Sequence, residues 1–262
     1  MPADGTYYTN TSQFNTVEPT HYLPNWDTNT CTQCGACSMA CSQGALRIKA
    51  YEDNYLNDAP KQFKSVKSNG LDWEVDLLNY TIQINPEQCN GCKNCVDACS
   101  IKALKMVDKK PILHKEQENW EYFKVIPEFD RNKIDVTKVS QQQLQEPLFK
   151  YPMGVKGCGE APYLKLLSQL FGDRLLVANA TGASSIFGGA LPTTPWSKNS
   201  KGKGPAWSNS LFEDNAEFGL GFKLSLEQQE KQAKDVLQKL LPKLNFDLVH
   251  DILKTNQLNE KQ

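Results

Sequence analysis

Two cysteine runs decide how this chain folds: "CTQCGACSMAC" from Cys31 to Cys41, and "CNGCKNCVDAC" from Cys89 to Cys99. Segments 31–48 and 89–106 agree at eight of eighteen positions, four of which are the cysteines. In each copy three cysteines lie three residues apart, as suits a loop, and the fourth follows four residues later, where a helix can start. The runs are therefore an internal repeat, and each copy directs three thiolates toward one centre.

Three explanations compete for so many cysteines. Disulfides suit secreted chains, and the first residues, "MPADGTYYTNTSQF", carry no secretory signal. Structural zinc sites usually combine two separated C-x2-C pairs. The run C-x2-C-x2-C-x3-C is that of bacterial ferredoxins, in which the fourth cysteine ligates the other cluster. Because this run of four cysteines is present twice, with all eight sulfurs in place, the sequence favours two 4Fe–4S clusters.

The cross-ligation rule assigns the ligands residue by residue. The predicted sets are Cys31, Cys34, Cys37 and Cys99 for one cluster, and Cys89, Cys92, Cys95 and Cys41 for the other. Each cluster is expected to be a low-potential, one-electron couple. The usual run ends in Cys-Pro, whereas both copies here end in Cys-Ser, at Ser42 and Ser100. These serines either cap a turn or helix, or add donors near sulfur that raise the potentials.

Charge and composition limit the partners. The 262 residues contain 29 Lys and Arg against 30 Asp and Glu, and the pI is near 6.3. This balance gives no electrostatic footprint for nucleic acid or an anionic membrane, so we expect protein redox partners. An uncharged stretch, 175–197, is too rich in Asn, Thr, Ser, Gly and Pro to be a direct membrane span. The expected location is a reducing intracellular compartment, either the cytoplasm or the matrix side of a mitochondrion, and not secreted.

The predicted fold is α+β: a bacterial-type two-cluster ferredoxin domain, then a truncated α/β unit, then a helical tail. After Pro162, leucines at helical spacing predict a helix, and "RLLVANA" predicts a buried strand that leads into a glycine-bearing turn. Ser225, three residues before Gln228, predicts the start of the tail helix, and Pro242 its end or kink. The predicted divisions are 1–26 (N-terminal arm), 27–111 (ferredoxin-like, with an insertion at 49–80), 112–152 (extended linker), 153–222 (α/β unit) and 223–262 (tail).

Several downstream segments carry a resemblance to a known family. They are "QEPLF", "GCGEAPYLKLLSQLFGDR", "ANATG", "GKGPAW" and "NSLFEDNAEFG". With the two cysteine runs before them, they resemble the pyruvate:ferredoxin oxidoreductases, thiamine-diphosphate enzymes of 2-oxoacid oxidation, over about 14–222. The resemblance implies that the α/β unit is the start of a thiamine-diphosphate domain. It also implies that the ferredoxin domain carries electrons between a third, proximal cluster and an external ferredoxin.

The departures from that family are as specific as the match. At three positions where the family ligates its proximal cluster, this sequence has Val155, Cys158 and Ala183. One thiolate cannot hold a cluster, so Cys158 is expected to be a leftover thiol. The family's later metal–diphosphate segment and its upstream domains are also missing from the sequence. Although Glu160 and the "ANATG" loop resemble part of the cofactor site, thiamine diphosphate is not expected to bind this chain alone.

Three functions remain open on these grounds. The first is a non-catalytic, accessory ferredoxin-like subunit of a larger redox complex, such as a respiratory complex. The second is the electron-transfer subunit of a split, thiamine-dependent 2-oxoacid:ferredoxin oxidoreductase. The third is a scaffold in which the clusters serve stability alone. The tail helix either covers its own domain or faces a partner chain.

Overall fold

The computed structural model describes residues 3, 7–15, 17, 19–69, 78–180, 182–189 and 192–255. Parts of the predicted arm, of the insertion and of the tail lie outside these described residues: 1–2, 4–6, 16, 18, 70–77 and 256–262. The chain divides into two compact units, Met1–Asn209 and Ser210–Gln262.

The first unit mixes short strands with helices. Its strands are β1 (Tyr22–Trp26), β2 (Leu46–Tyr51), β3 (Val66–Lys67), β4 (Asn79–Ile84), β5 (Leu104–Asp108), β6 (Leu176–Asn179) and β7 (Ala206–Asn209). Its helices are α1 (Ala36–Ala40), α2 (Asn94–Asp97), α3 (Leu113–Val125), α4 (Val139–Gln142), α5 (Ala161–Phe171) and α6 (Ala183–Gly189). The presence of both helices and strands agrees with the predicted α+β class.

Exchanged strands interlock the two halves of the cysteine-bearing region. The strand before the first run, β1, pairs antiparallel with β5, which follows the second run. The strand after the first run, β2, pairs antiparallel with β4, which precedes the second run. The registers correspond, since Trp26 faces Leu104 in one pair and Ile84 faces Leu46 in the other. Each half therefore completes the sheet of the other, and α1 and α2, which carry the cysteines, come into contact.

The insertion packs back onto this core. Its strand β3 adds to the edge of β4. An apolar cluster then joins the insertion to α3: Tyr51, Phe63, Trp120, Phe123 and Ile126. The prediction of an extended linker over 112–152 is thus corrected, because that segment contains α3 and α4. Only Asn119, Trp120 and Phe123 of the thirteen residues of α3 are buried, so the helix has a weak apolar stripe. Hydrophobic periodicity in the sequence therefore did not indicate this helix.

The segment after α4 contains α5, β6 and β7, and the buried face of α5 is mostly polar. Helix α5 forms after Pro162 as predicted, and β6 pairs in parallel with β7. However, β6 is half-buried to exposed, so the prediction of a buried strand is wrong. The residues that α5 buries are Ala161, Lys165, Ser168 and Gln169. A mostly polar stripe of this helix therefore faces inward, while Leu167 and Phe171 remain exposed.

The second unit consists of α7 (Asn215–Leu240) and α8 (Phe246–Lys254). Ser225 lies inside α7, so the predicted capping box is wrong, whereas the helix does end just before Pro242. The division between the units lies at 209/210 rather than the predicted 222/223, because α7 runs unbroken through residue 222. None of the helices in the described part of the chain has the length and apolar content needed to cross a membrane.

Candidate iron–sulfur site

The structure gathers eight cysteines around two cavities. One cavity is lined by Cys31, Cys34, Cys37 and Cys99, which we call the first set. The other is lined by Cys41, Cys89, Cys92 and Cys95, which we call the second set. Each set takes three cysteines from one run and the fourth from the other, the same grouping that cross-ligation predicts. That these sets hold clusters remains a prediction.

The two cysteine-bearing segments share backbone conformation even at positions where their residue types differ. Two positions within each run and one position three residues after it have a positive φ, and they lie at matching places in the two copies. The pairs are Gln33 with Gly91 (59° and 68°), Gly35 with Lys93 (76° and 72°), and Gly44 with Lys102 (63° and 59°). Non-glycine residues rarely adopt this conformation, so its recurrence at Gln33, Lys93 and Lys102 shows that both loops are held in one demanding shape.

Backbone amides in these loops point at sulfur. Gln33 N–H donates to Cys31 Sγ (3.4 Å), Leu46 N–H donates to Cys41 Sγ (3.4 Å), and Ala103 N–H donates to Cys99 Sγ (3.2 Å). Such donors stabilise negative charge on thiolates and help to set the potential of a cluster that they ligate.

The thiols of the sets are held in conditions that disfavour ionisation without a metal. Burial, followed by the neighbouring Cys31 and Cys34, raises the pKa of Cys37 to about 12. Burial likewise raises the pKa of Cys89 to about 12, with Cys41 and Cys92 adding to it. Four thiolates can share such a cavity only when cations offset their charge, and iron would do so with release of protons.

The donor set suits a 4Fe–4S cluster, because four cysteines line each cavity. A single zinc ion would need four donors within about 2.3 Å of one point. Within the described residues, no three His, Cys, Asp or Glu side chains are close enough to share one ion. In a 4Fe–4S cluster each cysteine binds a different iron, so the thiolates stand around the cluster rather than meet at a point. Two cavities lined by four cysteines each, with amides directed at the sulfurs, fit that group.

The two sets differ in exposure. In the first set Cys34 is exposed, whereas no cysteine of the second set is exposed: Cys41 and Cys95 are buried, and Cys89 and Cys92 are half-buried. Ser100 lines the first cavity, but Ser42 is buried and lines neither cavity. The effect of these serines on the potentials therefore remains a prediction, with Ser100 the better placed of the two.

The segment 155–158 lies against the second set at Gly157. Gly157 lies against Cys92, since a β-carbon on Gly157 would stand 3.8 Å from Cys92 Cβ. Val155 is 82% exposed, and Cys158 is half-buried beside the cluster of Phe149, Ala161 and Trp196. Ala183 is the exposed first residue of α6.

Sequence reasoning missed two polar side chains near the sets. Tyr80 lines the first cavity. Lys165 on α5 is buried, and its Nζ donates a hydrogen bond to the carbonyl of Ser38, which lies in α1 between Cys37 and Cys41. A polar stripe at helical spacing, formed by Lys165, Ser168 and Gln169, is the signal that could have revealed the inward face of α5.

Comparison with known proteins agrees with this geometry. A family model described as a 4Fe-4S dicluster domain matches residues 30–103. A pyruvate-flavodoxin oxidoreductase of Trichormus variabilis is 48% identical over 100% of this chain and 22% of its own length. The pyruvate:ferredoxin oxidoreductase of Moorella thermoacetica is 38% identical over 91% of the chain and 20% of its own. A mitochondrial pyruvate dehydrogenase (NADP+) of Euglena gracilis is 38% identical over 93% of the chain and 13% of its own.

This chain spans about a fifth of the length of the oxidoreductases that it matches. The match runs along its whole length and includes the cysteine runs, so the resemblance drawn from the sequence is confirmed. The chain is an iron–sulfur electron-transfer segment that belongs to the pyruvate:ferredoxin oxidoreductase family.

Proposed function

We propose that this protein carries electrons one at a time through two 4Fe–4S clusters, one held by the first set of cysteines and one by the second. The observation that supports this most directly is the gathering of eight cysteines around two neighbouring cavities. When bound, each cluster supplies a one-electron couple at low potential. Cross-ligation ties the two sites together, because α1 carries Cys37 of the first set and is followed at once by Cys41 of the second.

The chain's own residues hold, orient and shield these sites. The exchanged strands fix the two runs against each other, and the amides of Gln33, Leu46 and Ala103 offset negative charge on sulfur. Apolar side chains such as Ile82 and Leu104 line the first cavity and keep water from much of its surface. A dry site with fixed donors sets the potential and limits loss of iron.

The surroundings suggest an entry and an exit. Cys34 exposes the first set, which favours contact with a soluble or membrane-bound redox protein on that side. Gly157 places the 155–158 turn against the second set. We infer that electrons pass between a partner at the exposed side and a redox group that is brought near the turn.

The residues of that turn favour an accessory, non-catalytic role. Val155 and Ala183 stand where the resembled family places cysteine ligands of a proximal cluster, so this chain alone does not build that cluster. Such a module would serve as an accessory ferredoxin-like subunit of a larger redox complex, for example a respiratory one. In this reading the α5–β7 region descends from a thiamine-diphosphate domain and now serves as a docking platform without bound cofactor.

One observation favours a second candidate. The similarity to pyruvate-flavodoxin oxidoreductase covers the whole chain at 48% identity, well beyond the cysteine runs. Retention of Glu160 and its surroundings suits a segment that still adjoins a thiamine-diphosphate site built with other polypeptide. The chain would then be the electron-transfer part of a 2-oxoacid oxidoreductase.

Anaerobic purification of the native protein with its partners distinguishes these functions. Eight irons per chain and a reduced electron paramagnetic resonance (EPR) spectrum of two interacting spins are expected. Zinc or no metal in the cysteine sites would contradict the proposal, and clusters that stay oxidised at every accessible potential would support a scaffold instead. Bound thiamine diphosphate with pyruvate-dependent reduction would select the second candidate, whereas a redox complex that lacks both would select the first.

A further inference from the structure

Two buried polar groups of residues that line the first cavity lack a hydrogen-bond partner among the described residues: the indole N–H of Trp26 and the hydroxyl of Tyr80. Tyr80 on β4 is 1% exposed, lines the cavity of the first set, and packs edge-on against Trp26 with ring centroids 6.3 Å apart. Among the described residues, its hydroxyl oxygen has no hydrogen-bond partner. A buried hydroxyl without a partner is costly, and native proteins rarely keep one.

Tyr80 lines the same cavity as Cys31, Cys34, Cys37 and Cys99, and its hydroxyl oxygen is buried. A tyrosine hydroxyl carries one O–H donor, and no acceptor among the described residues takes it. The acceptors that its surroundings would supply are sulfur atoms of a cluster in the first set.

The matching position of the other half is different. Tyr22 on β1 corresponds to Tyr80 on β4 in the exchanged pairing, because Tyr22 faces Asp108 and Tyr80 faces Ala50. Yet Tyr22 is 53% exposed, so its hydroxyl is in water. The Tyr80 hydroxyl is thus a feature of one cavity that the repeat does not reproduce at the corresponding residue.

We propose that the Tyr80 hydroxyl donates a hydrogen bond to a sulfur atom of the cluster held by Cys31, Cys34, Cys37 and Cys99, and raises the reduction potential of that cluster alone. This inference rests on the proposed function. A hydrogen bond to sulfur strengthens as negative charge grows there, so it favours the reduced form. One electron is taken up at the site on reduction, Tyr80 keeps its proton, and no covalent bond forms or breaks.

The test is a redox titration of the purified native protein with dithionite, followed by EPR, for the wild type and Tyr80→Phe. This variant removes only the hydroxyl. The equilibrium constant for reduction of one cluster should fall at least threefold. For a one-electron couple, in which a tenfold change equals 59 mV, this lowers the reduction potential of that cluster by about 28 mV. The other potential should stay in place. In wild-type protein moved into deuterated water, electron–nuclear double resonance should lose an exchangeable proton coupling that Tyr80→Phe lacks from the start.

Tyr51→Phe is the matched control. Tyr51 is also buried, but its hydroxyl donates to Ser65 Oγ at 2.6 Å. The Tyr51→Phe variant should leave both reduction potentials unchanged. Unchanged potentials in Tyr80→Phe with eight irons bound would overturn the inference and leave the proposed function standing. The inference is also overturned if Tyr80→Phe loses iron while Tyr51→Phe keeps it, because the hydroxyl would then serve assembly. A wild type without iron–sulfur clusters would instead refute the proposed function.

Discussion

Gly91, in the second cysteine loop, lies directly against Thr20, just before β1. A β-carbon on Gly91 would collide with Thr20 Oγ1 and would stand 2.9 Å from Thr20 Cβ. Thr20 Oγ1 cannot easily move away, because it accepts a hydrogen bond from the Tyr22 amide at 3.2 Å and donates one to the Tyr22 carbonyl at 3.1 Å. The residue just before β1 therefore packs closely against the cysteine loop of the second set.

Gly91→Ala should destabilise the protein by about 2 kcal/mol, since it adds left-handed strain to a steric clash. Thr20→Gly removes the clashing atoms, so the double variant should recover part of the loss. Chemical denaturation of the anaerobic holoprotein measures both effects. Equal stabilities for Gly91→Ala and the double variant would show that the contact with Thr20 is not the cause.

Gln33→Ala should loosen the insertion over the first set. Gln33 Nε2 donates to the Lys67 carbonyl, and Gln33 Oε1 accepts from the Asn69 amide, each at 2.9 Å. These bonds join the first cysteine loop to the insertion and are worth about 1 kcal/mol each. Amide hydrogen exchange at 66–69 should rise about tenfold, and air should bleach the iron–sulfur absorbance faster. Thr32→Ala, a change at an exposed neighbour in the same loop, should change neither rate.

The cysteine spacing was enough to predict which residues come together. Cysteines that ligate one cluster must all reach it, so their spacing restricts which of them can share a site. The runs at 31–41 and 89–99 therefore determine how the cysteines group around the two cavities. Four strands flank the runs: β1, β2, β4 and β5. Their exchange between halves follows from the repeat, because each run can complete the other set only when the halves lie side by side.

The inward face of α5 was not predictable from its apolar residues. The leucines correctly indicated a helix, but Lys165, Ser168 and Gln169 face the core, where they meet polar groups of other segments. Ser168 Oγ accepts from the Leu148 amide at 3.0 Å, and Gln169 Nε2 donates to the Gln145 carbonyl at 2.8 Å. Burial of polar side chains depends on partners distant in sequence, which hydrophobic periodicity does not encode.

Glu128→Gln should destabilise the protein by about 2 kcal/mol. The Glu128 carboxylate pairs with Arg47 at 2.8 Å and with Lys49 at 3.0 Å, and both cations are buried. Loss of the shared carboxylate removes the ion pair of both buried cations and leaves the Glu146 carboxylate and backbone carbonyls to offset part of their charge. Glu227→Gln in the exposed pair with Lys223 on α7 is the control and should cost less than about 0.5 kcal/mol. Similar losses in the two variants would argue against a special role for the buried cations.

Cys99→Ser should impair the cluster site formed with Cys31, Cys34 and Cys37, although residue 99 belongs to the other run. Conversely, Cys41→Ser should impair the site formed with Cys89, Cys92 and Cys95. In each variant one cluster should remain fully ligated, so the EPR spectrum of the reduced protein should lose its spin–spin interaction. Cys158→Ser is the control and should keep eight irons. An unaltered interaction spectrum in Cys99→Ser would refute the crossed assignment.

Lys165→Met should lower both reduction potentials, in contrast to a change at Tyr80. The Lys165 ammonium contacts the Ser38 carbonyl between Cys37 and Cys41, and in the described part of the chain it has no carboxylate partner. Burial lowers its pKa to about 8, so it is still mostly charged at pH 7. A buried cation beside ligands of both sets favours the extra electron at either one.

We expect a fall of about tenfold in each equilibrium constant for reduction, or about 59 mV. Lys165→Arg keeps the charge and should retain most of both potentials. Lys49→Met is the matched control, because Lys49 and Lys165 are each 2% exposed, whereas Lys49 binds Glu128 and carbonyls of Phe123 and Ile126. If Lys165→Met and Lys165→Arg shifted the potentials equally, the packing of α5 rather than the charge would be responsible.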